Sequence, residues 1–219
     1  MNAASPQALV YLDRATGRLK TEDVYGAAAL GFLYGGNPFA CCLLPAVSRL
    51  AFASWAYGRW QNTLGSARQI RPFIEKYNID ASEFLSPVES FLSFNEFFYR
   101  KLKPEARPIH PGNDVAVMPA DARYLFFPHL DLADGFLVKG RRFNIATLLK
   151  DDTLAARYKK GSMLLARLCP TDYHRFHFPC DGVPGPSRLI NGWLYSVNPI
   201  ALKQNVNILT QNKRSLCEL

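Results

Sequence analysis

A chain of 219 residues that is 48% hydrophobic, with 15 Phe and 10 Tyr, can bury a substantial core, which excludes a disordered or low-complexity protein. The formal net charge of +8 points to an anionic partner, either a nucleic acid or an anionic membrane surface. Five cysteines, an odd number without regular spacing, exclude an extracellular disulfide framework and fit a reducing compartment.

The opening MNAASPQALVYLDRATGR has no basic-then-apolar layout, so no export signal is expected, and Asp13 to Gly17 reads as a turn. From Tyr25 to Ser48 no charged residue occurs. Gly31, Gly35, Gly36, Asn37, Pro38 and Pro45 break that run into pieces shorter than the ~20 apolar residues a membrane span requires. The next segment, SRLAFASWAYGRWQ, sets Leu50, Phe52, Trp55, Ala56 and Trp60 among Arg49 and Arg59, a pattern of a helix lying in a lipid headgroup region. A buried amphipathic core helix is the other reading of the same residues.

Helix punctuation dominates residues 68–108. Asp80 to Glu83 and Ser93 to Glu96 have capping-box spacing, and Pro87 suits a first helical position. Arg100, Lys101, Lys103 and Arg107 make the end of this region basic and read as a solvated face. After Pro111, short apolar runs alternate with Gly, Pro and Asp turns, as in a β-rich domain, with small helices around 145–150 and 153–160. The expected fold class is α+β, with a helical, membrane-associating region over 1–110 and a compact β-rich catalytic domain over 111–219.

The stretch CPTDYHRFHFPCDG, residues 169–182, concentrates the chemistry. His174, His177, Cys169 and Cys180 are adequate zinc ligands. Pro170, Pro179 and the alternating Phe176 and Phe178 favour an extended strand, however, which sends residues three apart to opposite faces. That geometry weakens a metal site, and none is assigned. It leaves packed strand histidines, or two histidines serving two different steps.

DYHRFHFPCDG (172–182) resembles the signature of the phosphatidylserine decarboxylases, Tyr-His-Arg-x-His-x-Pro followed shortly by Gly. In the same order, FNEFFYRKLKPEARPI (94–109), MPADAR (118–123), LVKGRRFNIATLLKD (137–151), LYSVNPIAL (194–202) and NKR (212–214) are similar to other segments of that family. The opening VYLDRATGRLKTEDVYG is similar to the start of one bacterial subgroup.

The resemblance implies a proenzyme that cuts itself before a serine, which becomes an N-terminal pyruvoyl group on a downstream α chain. Asp121 would orient His177, and His177 would take the serine proton during self-cleavage. His174 would serve decarboxylation as a proton donor or acceptor. The pyruvoyl cofactor would form a Schiff base with the amine of phosphatidylserine, yielding phosphatidylethanolamine and CO₂. The implied partners are phosphatidylserine, an anionic membrane surface, the pyruvoyl-bearing α chain and, as an option, a second copy in a homodimer, but no nucleic acid. The implied location is peripheral, on the cytoplasmic side of the inner membrane.

Two departures stand out. Ala122 replaces the glycine that follows the family's Asp, which strains the turn if that position needs a positive φ. The Leu-Gly-Ser-Thr type of cleavage motif is absent, and neither Gly65-Ser66 nor Gly161-Ser162 is assigned as pyruvoyl precursor. The 219 residues are therefore expected to be inactive alone. The alternatives are a degenerate, non-enzymatic basic membrane-binding module and a metal-dependent hydrolase using His174, His177 and Cys180.

Overall fold

The computed structural model describes residues 10–22, 27–36, 38–49, 51–112, 114–130, 145–205 and 207–219. Residues 137–144 of the expected Lys-Gly element lie outside them. Two compact units are present, Met1–Ser48 with Phe127–Met163 and Asn191–Lys213, and Arg49–Phe126 with Leu164–Ile190 and Arg214–Leu219. Chain from both sides of residue 110 enters each unit, so the compact organisation cuts across the sequential division into 1–110 and 111–219. The fold is α+β.

The first unit opens on a hairpin of β1 (Val10–Asp13) and β2 (Arg18–Thr21). Gly17 closes its turn at φ +65, and the Asp13 carboxylate accepts from Thr16 N–H at 3.0 Å. The Lys20 side chain bonds the same carboxylate, and with the Thr16 contact it lowers the Asp13 pKa to about 2. Helices α1 (Ala27–Tyr34) and α2 (Pro38–Arg49) follow, separated by Gly35, Gly36 and Asn37, with Gly36 at φ +82. Pro45 does not end α2 as its sequence implies. It removes one ladder donor only, and the Ser48 hydroxyl turns back onto the carbonyl of Leu44 at 2.7 Å. The core of this unit is Tyr34, Ala201 and Ile208, and the Tyr34 hydroxyl accepts from Ser196 N–H at 3.0 Å.

The second unit begins with α3 (Ala51–Gln61) and continues through a 3₁₀ turn, Leu64–Gln69, into α4 (Ile70–Tyr77), which ends on left-handed Asn78. Asp80 caps Ser82 N–H at 2.8 Å as a short turn, not as the full capping box. At α5 (Phe94–Phe98) the Ser93 hydroxyl accepts from Glu96 N–H at 3.2 Å, and Glu96 accepts from Leu92 N–H at 2.7 Å, so the box closes one residue early. These caps turn Phe73, Phe84, Phe91, Phe94 and Phe97 into one cluster with Ile70 and Leu102. Ring pairs within it meet edge-on, as Phe73 does with Phe94 at 5.3 Å between centroids. Tyr173, from the far end of the sequence, packs against the same cluster.

Further along, β3 (Arg123–Phe127) follows. In the first unit α6 (Ile145–Leu149) and α7 (Asp152–Tyr158) form next, the latter capped by the Asp151 carboxylate on Leu154 N–H at 2.9 Å. Then come β4 (Met163–Arg167), which pairs with β3, β5 (Arg188–Ile190), α8 (Pro199–Gln204), α9 (Ile208–Gln211) and β6 (Arg214–Leu216), antiparallel to β5. Among the described residues, strand structure after 111 is limited to these two pairs and isolated bridges, less than the expected β-rich domain. Pro119, Pro170, Pro179, Pro184 and Pro186 explain the shortfall, because each extended run meets a residue with no N–H to continue a ladder.

Phe97 is 0% exposed at the centre of the aromatic cluster. Phe97→Ala is expected to lower unfolding free energy by about 3–5 kcal/mol in urea titrations, whereas Phe52→Ala, at an exposed position, changes it little.

Candidate active site

The histidine-bearing stretch starts with a tight turn. In Cys169-Pro170-Thr171-Asp172, the Asp172 amide donates to Cys169 O at 2.9 Å, and the Asp172 carboxylate accepts from Cys169 N–H at 2.7 Å. The same carboxylate meets the Arg123 guanidinium at 3.3 Å. Burial pushes the Asp172 pKa up, opposed by the Cys169 amide and by Arg123.

Beyond the turn the chain extends and pairs antiparallel with residues 117–121. Val117 N–H donates to Pro179 O at 2.8 Å, His177 N–H donates to Pro119 O at 2.9 Å, and Ala120 bridges Phe176. This register sets Pro119 opposite His177 and Asp121 opposite Arg175. In this register Asp121, at the bend that ends the pairing, is a diagonal neighbour of His177.

No hydrogen bond joins Asp121 to His177. The Asp121 carboxylate is instead gripped by Arg107, with Nε 2.9 Å from Oδ1 and 2.9 Å from Oδ2, and Nη2 2.8 Å from Oδ2. Arg107 also donates through Nη1 to Glu83 Oε1 at 3.1 Å and to Ala106 O at 2.6 Å. The Asp121 hydrogen bonds raise its pKa, so the guanidinium stays charged. The His177 imidazole is half-buried and makes no hydrogen bond among the described residues.

His174 stacks on Phe98 with ring centroids 4.0 Å apart. Its Nε2 lies 2.9 Å from Cys169 O, an acceptor only, so Nε2 carries the proton and Nδ1 keeps its lone pair. Burial lowers the His174 pKa and favours the neutral ring, against the opposing pull of the Cys169 carbonyl and Asp172. Arg175 leaves the pairing through Nε, which donates to Tyr99 O at 2.8 Å.

The basic run 100–107 is not a solvated face throughout. Arg100 is 5% exposed, and its guanidinium lies 4.9 Å from the ring centroids of both Phe84 and Phe97. Its Nε and Nη1 have no hydrogen-bond partner among the described residues, and desolvation lowers its pKa while the charges of Asp121 and Glu83 raise it. The signal available in the sequence was Arg100 following the FNEFF helix directly, where a cation three residues after Phe97 lands on the same face.

Ala122 carries no strain. Among the described residues the non-glycine positions with positive φ are Asn78 and Lys150, so the methyl group of Ala122 occupies ordinary backbone space. Both Gly-Ser hydroxyls are bound to backbone carbonyls. Ser66 is buried and donates to Gln61 O at 2.8 Å, and Ser162 donates to Pro128 O at 2.8 Å. Among the described residues no three His, Cys, Asp or Glu side chains are grouped to hold a metal ion.

The profile of the phosphatidylserine decarboxylase family matches residues 94–219, the span that contains Arg107, Asp121, His174 and His177. The chain belongs to the phosphatidylserine decarboxylase family. It is 44% identical over 216 residues to a phosphatidylserine decarboxylase proenzyme of Chlamydia muridarum, covering 96% of this chain and 69% of that relative. It is also 44% identical over 204 residues to the proenzyme of Fusobacterium nucleatum, covering 93% of this chain and 68% of the relative.

The lowered His174 pKa has a consequence for stability. The unfolded chain binds the proton near the ordinary value of 6.5, and the folded chain binds it only at lower pH. The His174 contribution is therefore complete above 6.5 and is lost as pH falls through the folded value. The urea midpoint should fall on acidification below about 6.5, and His174→Gln should flatten that part of the curve.

Proposed function

We propose that these 219 residues form the larger, N-terminal part of a pyruvoyl-dependent phosphatidylserine decarboxylase, with the serine that yields the pyruvoyl group on a segment outside them. The antiparallel register of 117–121 against 175–179 carries this reading. Alternation along that pairing would give Asp121 and His177 a common face and His174 the opposite one, which suits two histidines with separate duties. His177 has an uncommitted imidazole with which to accept a serine proton, and Asp121 supplies the carboxylate that stabilises the resulting imidazolium. His174 is held by Nε2–H to Cys169 O, leaving Nδ1 to move a proton to or from the substrate.

The chemistry of these residues fits a pyruvoyl group, because His177 would be a base for making it and His174 a second, neutral base for the reaction it would support. When bound, the group supplies the electron sink for the decarboxylation of phosphatidylserine to phosphatidylethanolamine. On this proposal the 219 residues alone are inactive, and their partner is the pyruvoyl-bearing α chain. A homodimer of such pairs is compatible with this assignment.

Membrane association is part of the same proposal. Helix α3 exposes Phe52 at 71%, Trp55 at 60% and Trp60 at 52%. Phe52, Trp55, Arg59 and Trp60 are spaced i, i+3, i+7 and i+8, which puts the aromatics and the cation on one face. Among the described residues no single helix is long and apolar enough to cross a membrane, although α2 and α3 together reach that length and composition. An interfacial placement of α3 on the cytoplasmic side of the inner membrane uses the net charge of +8 against anionic lipid.

Intact-mass analysis of the gene product expressed from its native reading frame tests the assignment. Two chains are expected, one with a pyruvoyl N-terminus, and a single uncleaved chain would sink it. His177→Ala should block cleavage, while His174→Ala should permit cleavage and abolish CO₂ release from phosphatidylserine vesicles. For the membrane contact, Phe52→Ser with Trp55→Ser should reduce co-sedimentation with phosphatidylserine-containing liposomes. Unchanged co-sedimentation would remove α3 from the interface.

A further inference from the structure

Asp121 has a structural problem that its neighbours solve. A carboxylate turns about its Cβ–Cγ bond, and across the strand pairing Asp121 faces Arg175, a cation able to draw it away from His177. The Arg175 Nε is committed to Tyr99 O at 2.8 Å. Arg107 takes both Asp121 oxygens through three hydrogen bonds of 2.8–2.9 Å. Two oxygens offer about four lone-pair sites, so this grip fixes the plane of the carboxylate and still leaves a site for an imidazole N–H.

Arg107 is itself fixed from behind. It follows the 3₁₀ turn Pro104–Ala106, and its Nη1 reaches Glu83 at 3.1 Å. Glu83 is placed by the antiparallel contact of its own strand-like segment with residues 101–103: Lys103 N–H donates to Glu83 O at 2.9 Å and Leu85 N–H to Lys101 O at 3.0 Å. The charge of Arg100, buried between Phe84 and Phe97, acts on Asp121 and Glu83 as well. Two guanidiniums therefore face two carboxylates, and the group is balanced without His177. A partly exposed ion pair of this kind adds little to stability, so its geometry asks for another purpose.

We propose that Arg107 is a positioning residue for self-cleavage, holding the Asp121 carboxylate in the plane from which it serves His177. This rests on the function proposed above and names a residue through which that function is controlled. Arg107 contacts Asp121, Glu83 and the Ala106 carbonyl. It acts through Asp121 alone.

The test follows the conversion of precursor to two chains by intact mass, using the gene product of the native reading frame. Arg107→Ala should slow cleavage by about 10²-fold, the usual effect of misplacing a group that acts through orientation. Arg107→Lys should recover part of the rate, and millimolar methylguanidinium should accelerate Arg107→Ala but not the unsubstituted protein. Thermal melting of each variant separates folding from positioning. Cleavage of Arg107→Ala at the unsubstituted rate, or slow cleavage indifferent to both lysine and methylguanidinium, overturns the role of Arg107. Asp121→Asn run beside it distinguishes the two levels. Loss of cleavage in Asp121→Asn with normal cleavage in Arg107→Ala removes Arg107 only. Normal cleavage in Asp121→Asn, or none in the unsubstituted protein, removes the proposed function and Arg107 with it.

Discussion

Two backbone hydrogen bonds, Val117 N–H to Pro179 O and His177 N–H to Pro119 O, bring together segments about sixty residues apart and define the site. Prolines at 119 and 179 accept in these bonds and cannot donate, so the ladder is confined to a short register. A slip of one residue would replace the partner of every residue in it, setting Asp121 opposite His174 or Phe176 in place of Arg175. The placement of the carboxylate and both histidines thus depends on a pairing that two acceptor-only residues delimit.

Behind this pairing stands the aromatic cluster of residues 70–102, which anchors the groups that touch the site. Phe98, one residue after the buried Phe97, provides the surface on which His174 stacks. Arg100 lies against two rings of the cluster, and Arg107 leaves the end of the same region to grip Asp121. Apolar packing and charge placement are here one construction. The rings exclude water from Arg100, and exclusion of water lengthens the reach of its charge.

Much of the local structure was legible. The turn at Asp13–Gly17, the helices near 145–149 and 152–158, and the cap at Ser93 follow from turn chemistry and side-chain acceptors that act within a few residues. Less visible was the length of the strands, since a run of apolar residues does not reveal whether its partner can donate. The extension of α2 through Pro45 was missed for a related reason, as it relies on the Ser48 hydroxyl. In the basic run at 100–107, Lys101, Lys103 and Arg107 are exposed as expected, and Arg100 alone is buried, because its spacing from Phe97 carries it onto the aromatic cluster.

By itself the sequence determined the family, the α+β class and the chemical identity of Asp121, His174 and His177, because motif spacing and residue type survive without coordinates. Tertiary structure alone decided that Ala122 is unstrained, that Arg107 and not His177 holds Asp121, and that Ser66 and Ser162 are occupied. Those facts depend on a backbone dihedral and on contacts between segments far apart in the chain. Such contacts are fixed by the closing of the fold, which no local pattern encodes.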